Sequence, residues 1–230
     1  MPTKKISRKK LLKEPDEFIS TTAKVIQFLR EHRRKVTLCA VVGIALVAAG
    51  SGGYAYLRWQ QGKAQVIQQQ AFQLYQETSN KAANPEGDKA NFKKALEKFQ
   101  EALAVYSWGN VGQVSRIYIG HCLYGLKEYD QAIPAYSLCL EGPFRSLALN
   151  GLGYCYEAKG DYAKAAENYQ IVAEGDGDPY REESMLDLAR CYEALKQKEK
   201  ALAVYQKALA KNPKSRLADF IQWKIGELKG

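Results

Sequence analysis

A spacing that occurs three times limits the folds open to this chain more than any other feature. A small residue is followed twelve positions later by an alanine, and that alanine is followed four positions later by a tyrosine. The three copies run from Gly120 to Tyr136, from Gly153 to Tyr169 and from Ala189 to Tyr205. Because two antiparallel helices approach closely only where their side chains are small, the spacing predicts a repeated helical hairpin.

The fullest copy resembles the consensus of the tetratricopeptide repeat family, W-x2-L-G-x2-Y followed by A-x3-F and P. The residues that carry the resemblance are Met185, Leu188, Ala189, Tyr192, Ala201, Tyr205, Ala208 and Pro213. The resemblance implies an all-α solenoid of helix-turn-helix repeats. It also implies that the first helices of the repeats line a concave surface for binding peptides or extended segments.

One hairpin cannot bury its own apolar face, so at least three copies and a terminal cap are expected. A fourth copy is indicated by Phe92, Ala95 and Phe99. We predict repeats near residues 65–106, 113–145, 146–179 and 182–215. A helix at 216–230 would cap them with one apolar face, formed by Leu217, Phe220, Ile221, Ile225 and Leu228. Within the third repeat we expect Ala165 to pack opposite Gly153, where its two helices come closest.

An uncharged run, Val36–Leu57, is the second informative feature. A helix of this length reaches about 33 Å, against about 30 Å of hydrocarbon in a bilayer. Tyr54, Tyr56 and Trp59 follow as an aromatic belt. We predict a transmembrane helix over 36–57, between a basic segment at 1–35 and a repeat domain at 58–230. The alternative is a cleaved signal peptide. Both the segment before the apolar run and the run itself are longer than is usual in signal peptides.

The basic residues are concentrated before the span. The segment before Val36 carries 11 of the 34 Lys and Arg residues but 4 of the 25 Asp and Glu residues. This asymmetry predicts that the N-terminus is cytoplasmic and that the basic segment contacts anionic lipid. Because the rest of the chain is nearly neutral, no nucleic-acid partner is expected. Residues 15–35 are expected to form a helix that either continues into the span or docks a cytoplasmic partner.

No pattern of catalytic or metal-binding residues stands out, so neither an enzyme nor a cofactor is predicted. Cys122, Cys155 and Cys191 each lie two positions after the small residue of a repeat, which indicates a packing role. Cys139 could approach Cys155 on the next repeat, so a disulfide between them is left open. The absence of CxxC or His-Cys ligand spacing argues against a zinc site.

The tetratricopeptide register assigns exposed positions to the concave surface. Three positions in each of three repeats give the candidate partner-binding residues Ile117, His121, Tyr124, Asn150, Tyr154, Glu157, Leu186, Arg190 and Glu193. The family's clamp for C-terminal carboxylates needs Lys, Asn and Arg at matching positions, and only Asn150 and Arg190 resemble it. Each of these residues could instead be solvated without a partner.

The order of segments resembles that of bacterial inner-membrane tetratricopeptide proteins described as ancillary subunits of the Sec translocon. These segments are a basic head, one span with Tyr-Ala-Tyr-Leu-Arg-Trp at its exit, a Gln-rich helix and then the repeats. The resemblance implies a periplasmic scaffold whose partners are translocon subunits, secretory clients or periplasmic chaperones. The alternatives are a scaffold for cell-wall synthesis or outer-membrane biogenesis with one fixed partner, and a docking receptor whose repeats are cytoplasmic.

Overall fold

The computed structural model describes residues 17–80 and 85–230. These ranges contain ten α-helices and no strand, so the predicted all-α fold is confirmed. The helices are α1 (Glu17–Glu31), α2 (Arg33–Asn80), α3 (Pro85–Val105), α4 (Gly109–Gly125), α5 (Tyr129–Ser137), α6 (Arg145–Ala158), α7 (Tyr162–Glu174), α8 (Arg181–Ala194), α9 (Lys198–Lys211) and α10 (Ala218–Lys229). Residues 1–16 of the predicted basic segment and residues 81–84 of the predicted first repeat lie outside the described residues.

The chain divides into two compact units between Arg58 and Trp59. In the first unit, α1 confirms the helix expected within residues 15–35. Backbone hydrogen bonds from His32 to Phe28 and from Val36 to His32, both 3.0 Å, continue across the junction between α1 and α2. By length and composition, α2 is a candidate membrane span, with a mean hydropathy of 2.0 over its apolar part. A signal sequence meets the same criterion.

In the second unit, each helix from α3 to α10 packs against the next along the chain. We call α4, α6 and α8 first helices and α5, α7 and α9 second helices. Each pair is joined by the same turn, in which one residue adopts a positive φ: Lys127 (63°), Gly160 (79°) and Lys196 (59°). The following residue donates a backbone hydrogen bond to the carbonyl oxygen five positions earlier, in the first helix, as in a Schellman motif. The common turn gives the three hairpins the same connection.

The small residue of each repeat makes room for a tyrosine. A Cβ atom added to Gly153 would lie 2.4 Å from the ring of Tyr169, and one added to Gly120 would lie 2.6 Å from the ring of Tyr136. The three atoms nearest to an added Cβ at Gly153 all belong to the Tyr169 ring, and the packing of Ala165 opposite Gly153 stays a prediction. Ala165, on the second helix of the same repeat, is fully buried. The recurring spacing thus encodes a tyrosine ring that packs directly on helix backbone.

The cap, α10, buries a different stripe from the predicted one. Ile221 is fully buried, and Ile225 and Leu228 pack against the core of the last repeats, as expected. Leu217 and Phe220, however, are 40% and 45% exposed, while Ala218 is buried. Leu217 precedes the first turn of α10. The helix contacts the core through Ala218, Ile221, Ile225 and Leu228, which are spaced three, four and three residues apart and therefore share one face. Leu217 and Phe220 are left on its edge.

Candidate partner-binding site

The predicted site residues occupy three positions on each first helix, and the earliest of these is mostly buried. Ile117 is 1% exposed and Asn150 is 2% exposed, so neither is available to a partner and both assignments are wrong. The carbonyl oxygen of the Asn150 side chain accepts a 2.7 Å hydrogen bond from the Ser184 hydroxyl on the next first helix. Successive first helices therefore pack together over this position. Leu186, which has no further first helix beyond it, remains half-buried.

In the third and fourth repeats, the last of the three positions holds a glutamate that accepts a hydrogen bond from the buried tyrosine. The Tyr169 hydroxyl donates to Glu157 at 3.1 Å, and the Tyr205 hydroxyl donates to Glu193 at 2.6 Å. Burial, followed by the neighbouring carboxylates, raises the pKa of both tyrosines, which keeps the hydroxyls protonated as donors. Each core tyrosine thereby fixes one carboxylate at the surface of a first helix.

The second repeat uses a histidine in this role. The Tyr136 hydroxyl pairs with Nδ1 of His121 at 2.7 Å. Burial lowers the pKa of His121 to about 4, so the ring is neutral near pH 7. Tyr124 occupies the position that holds Glu157 and Glu193 in the later repeats, and it is 37% exposed. His121 is thus half-buried against Tyr136, and Tyr124 provides aromatic surface.

Arg190 is held by carboxylates of the protein itself. Its guanidinium forms hydrogen bonds of 2.7 and 2.8 Å with the two oxygens of Glu157, and its Nη1 lies 2.8 Å from Oδ1 of Asp187. The hydrogen bonds to Glu157 are the largest influence raising the pKa of Arg190. A C-terminal carboxylate of a partner would have to displace these contacts, and Asn150 is buried. The site therefore does not form the family's carboxylate clamp.

An aromatic series connects the repeats on the same surface. The ring centroids of Tyr124 and Tyr154 are 6.2 Å apart, and those of Tyr154 and Tyr169 are 5.7 Å apart. The Tyr154 hydroxyl donates to Glu183 at 2.9 Å. We call the surface formed by Tyr124, Tyr154, Glu157, Arg190 and Glu193 the first-helix face. Most of it consists of side chains that neighbouring residues already fix in position.

A cavity of about 220 Å³ opens at the end of this face, between α8 and α10. We call it the C-terminal groove. It brings together three predicted residues, Leu186, Arg190 and Glu193, with residues that the sequence did not assign to the site, namely Glu183, Asp187, Tyr205, Leu217, Phe220 and Lys224. Lys224 pairs with Glu193 at 2.9 Å, which ties the cap to the last first helix. For Leu217 and Phe220 the sequence signal was the apolar stripe of the cap, which was predicted to face the core along its whole length.

The cysteines are free thiols, and four of the five are buried. Burial raises the pKa of Cys122, Cys155 and Cys191 to about 12, which makes them unreactive at neutral pH. The Sγ atom of Cys139 contacts the carbonyl oxygens of Gln113 and Ala135. Within residues 17–80 and 85–230, no group of three or more His, Cys, Asp or Glu side chains could hold a metal ion.

Comparison with known proteins agrees with the repeated helical hairpins of the fold. The model of the tetratricopeptide repeat family matches residues 144–213, which include α6 to α9. A solved structure of the nearly identical tetratricopeptide-like repeats of a kinesin light chain from Podosopora anserina aligns with a TM-score of 0.51 at 18% identity. The alignment covers 75% of this chain and 84% of that one.

The apo form of RapI aligns with a TM-score of 0.53 at 15% identity, over 70% of this chain and 45% of that protein. At these identities the likenesses show the fold alone. Among curated proteins, none matches the sequence significantly. The repeat region therefore has a tetratricopeptide-like all-helical solenoid fold, with the family's repeat pattern at residues 144–213.

Proposed function

We propose that this protein is a non-catalytic, membrane-anchored scaffold that binds protein partners on the first-helix face, at the C-terminal groove where that face ends. The observation that carries the proposal is the C-terminal groove, where half-buried Leu186 and exposed Leu217 and Phe220 surround side chains held by ion pairs. Apolar surface between fixed polar groups is the usual composition of a peptide-binding site. Tetratricopeptide repeats generally bind proteins, which supports the same assignment.

The proposed location is the bacterial inner membrane, with the N-terminus cytoplasmic and the repeats periplasmic. Two observations support it: the candidate span in α2 and the excess of Lys and Arg before Val36. The basic segment at 1–35 would then contact anionic lipid. Fusing reporter enzymes after Gly230 tests the orientation, because a reporter active in the periplasm supports this topology. Activity in the cytoplasm would favour the docking receptor.

The proposed task is to assist protein translocation, or to pass clients to chaperones, at the Sec translocon. Its support is the resemblance of the head, span and repeats to ancillary translocon proteins. We propose to test it by placing a photo-crosslinking amino acid at Phe220 in the full chain, with Ile171 on α7 as an exposed apolar control. Crosslinks from Phe220 to translocon subunits and to many secretory proteins would support the task. Crosslinks to one stoichiometric envelope protein would support the envelope-assembly scaffold instead.

A further inference from the structure

One of the residues that line the C-terminal groove, Asp187, has a carboxylate oxygen without a hydrogen-bond donor. Asp187, on α8, is 6% exposed and lines the groove. Its Oδ1 atom is paired with Arg190, but its Oδ2 atom is buried and without a hydrogen-bond partner in the described part of the chain. The Tyr154 hydroxyl also interacts with the Asp187 carboxylate, but it donates its hydrogen bond of 2.9 Å to Glu183 and so leaves Oδ2 without a donor. A buried acceptor without a donor costs free energy, which a bound donor would recover.

The fixed charges around Asp187 favour a cation as that donor. The two basic groups of the groove are already paired, Arg190 with Glu157 and Lys224 with Glu193. Lys224 also lies 3.3 Å from Glu227. The groove and its direct ion-pair partners thus contain two basic side chains and five carboxylates, those of Glu157, Glu183, Asp187, Glu193 and Glu227. A positively charged group would be attracted to this region, and a carboxylate would be repelled.

The walls of the groove suit an aliphatic chain. Leu186 lines one side, and Leu217 and Phe220 line the side formed by the start of the cap. The volume of about 220 Å³ lies below the range of roughly 300–1,000 Å³ that is typical of small-molecule sites. It corresponds to one or two side chains. Lys and Arg have aliphatic stems that lie along apolar surface while the charged end reaches a polar group.

We propose that the C-terminal groove binds a lysine or arginine side chain of an extended partner segment. The charged end donates a hydrogen bond to Oδ2 of Asp187, and the stem packs between Leu186 on one side and Leu217 and Phe220 on the other. This inference rests on the proposed function, because it names the chemistry of the segment that the first-helix face binds. It also gives the cap a second role, since α10 supplies one wall of the groove as well as covering the last repeat.

Peptide libraries presented to the full chain in mild detergent test the proposal. Each library consists of acetylated and amidated seven-residue peptides whose central residue is Lys, Arg, Gln or Glu and whose other positions are mixtures of Ala, Ser, Leu and Phe. The blocked ends remove terminal charges, so that only the central side chain differs. The Lys and Arg libraries should be retained about 10- to 100-fold more strongly than the Gln library, and the Glu library least.

Two variants locate the effect. Asp187→Asn should reduce the preference for Lys and Arg over Gln to less than about threefold, whereas Asp130→Asn, in the ion pair with Lys159 away from the groove, should leave it unchanged. If circular dichroism shows that Asp187→Asn disturbs the fold, Glu183→Gln serves as the second variant and should weaken the preference in the same direction.

The failures of the two proposals are distinguishable. If Phe220 crosslinks a partner but the Lys and Arg libraries are not preferred, or if the preference survives both groove variants, the cation site is wrong and the scaffold remains. If no library is retained and Phe220 crosslinks no more than Ile171, the proposed function is wrong as well.

Discussion

The guanidinium of Arg190 binds both oxygens of the Glu157 carboxylate, at 2.7 and 2.8 Å, and so joins the first helix of one repeat to the first helix of the next. The same carboxylate accepts a hydrogen bond from the hydroxyl of Tyr169, on the second helix of its own repeat. One residue thus links three helices, α6, α7 and α8. The bidentate geometry makes this contact stronger than an ordinary surface ion pair.

We predict that Arg190→Met lowers the free energy of unfolding of the full chain by about 1–2 kcal/mol, because Glu157 and Asp187 lose their shared cation. Denaturant titration in mild detergent, followed by circular dichroism, measures the change. A double-mutant cycle with Glu157→Gln should give a coupling energy of at least about 0.5 kcal/mol. A coupling energy near zero would mean that the pair does not hold the repeats together.

The contact between Gly153 and Tyr169 predicts opposite effects for two glycine substitutions. Gly153→Ala should destabilise the protein by about 1–3 kcal/mol, because the new methyl group would lie 2.4 Å from the Tyr169 ring. Gly226→Ala on α10 is the matched control: its Cβ meets no atom within 4 Å, so it should stabilise the helix by about 0.5–1 kcal/mol. Thermal melts of both variants provide the comparison. Equal melting temperatures would contradict the packing described for the repeat.

These residues also show how far the sequence defined the fold. The spacing of Gly153, Ala165 and Tyr169 predicted a hairpin, and all three residues are buried within it. It predicted Ala165 opposite the glycine, but Ala165 and Tyr169 lie four residues apart on the same face of α7, and the spacing alone does not reveal which of the two comes nearer. The choice depends on the crossing angle of the two helices, and that angle results from packing over the whole repeat.

The neutral state of His121 predicts a pH-dependent stability. Burial lowers its pKa from 6.5 to about 4, so between these values the unfolded chain binds a proton that the folded chain does not. The contribution to stability is complete above pH 6.5 and is lost as the pH falls toward 4, by up to about 3 kcal/mol. Comparing denaturant midpoints of the wild type and His121→Gln at pH 7 and pH 4.5 isolates this contribution. The wild type should lose more stability than the variant, and an equal loss would contradict a buried neutral histidine.

The candidate site was less predictable than the fold. Ile117 and Asn150 share a helical face with residues that are exposed, and the sequence alone does not reveal that both are buried. Asn150 is buried because Ser184 on the next repeat supplies its hydrogen bond. Leu217 and Phe220 were assigned to the core because their spacing fits one apolar stripe. A shift of that stripe by one residue, to include Ala218, moves them to the groove.

The central claim is that partners bind at the C-terminal groove, and capture of partners by variants of the full chain tests it most directly. Crosslinked or co-purified partners should be compared for the double variant Leu186→Ala with Phe220→Ala and for a control pair of exposed apolar residues, Leu138→Ala with Ile171→Ala. The groove variant should weaken capture by about 1–3 kcal/mol while its helix content is unchanged. The control pair should capture partners as the wild type does. Undiminished capture by the folded groove variant, or an equal loss in the control, would contradict the account.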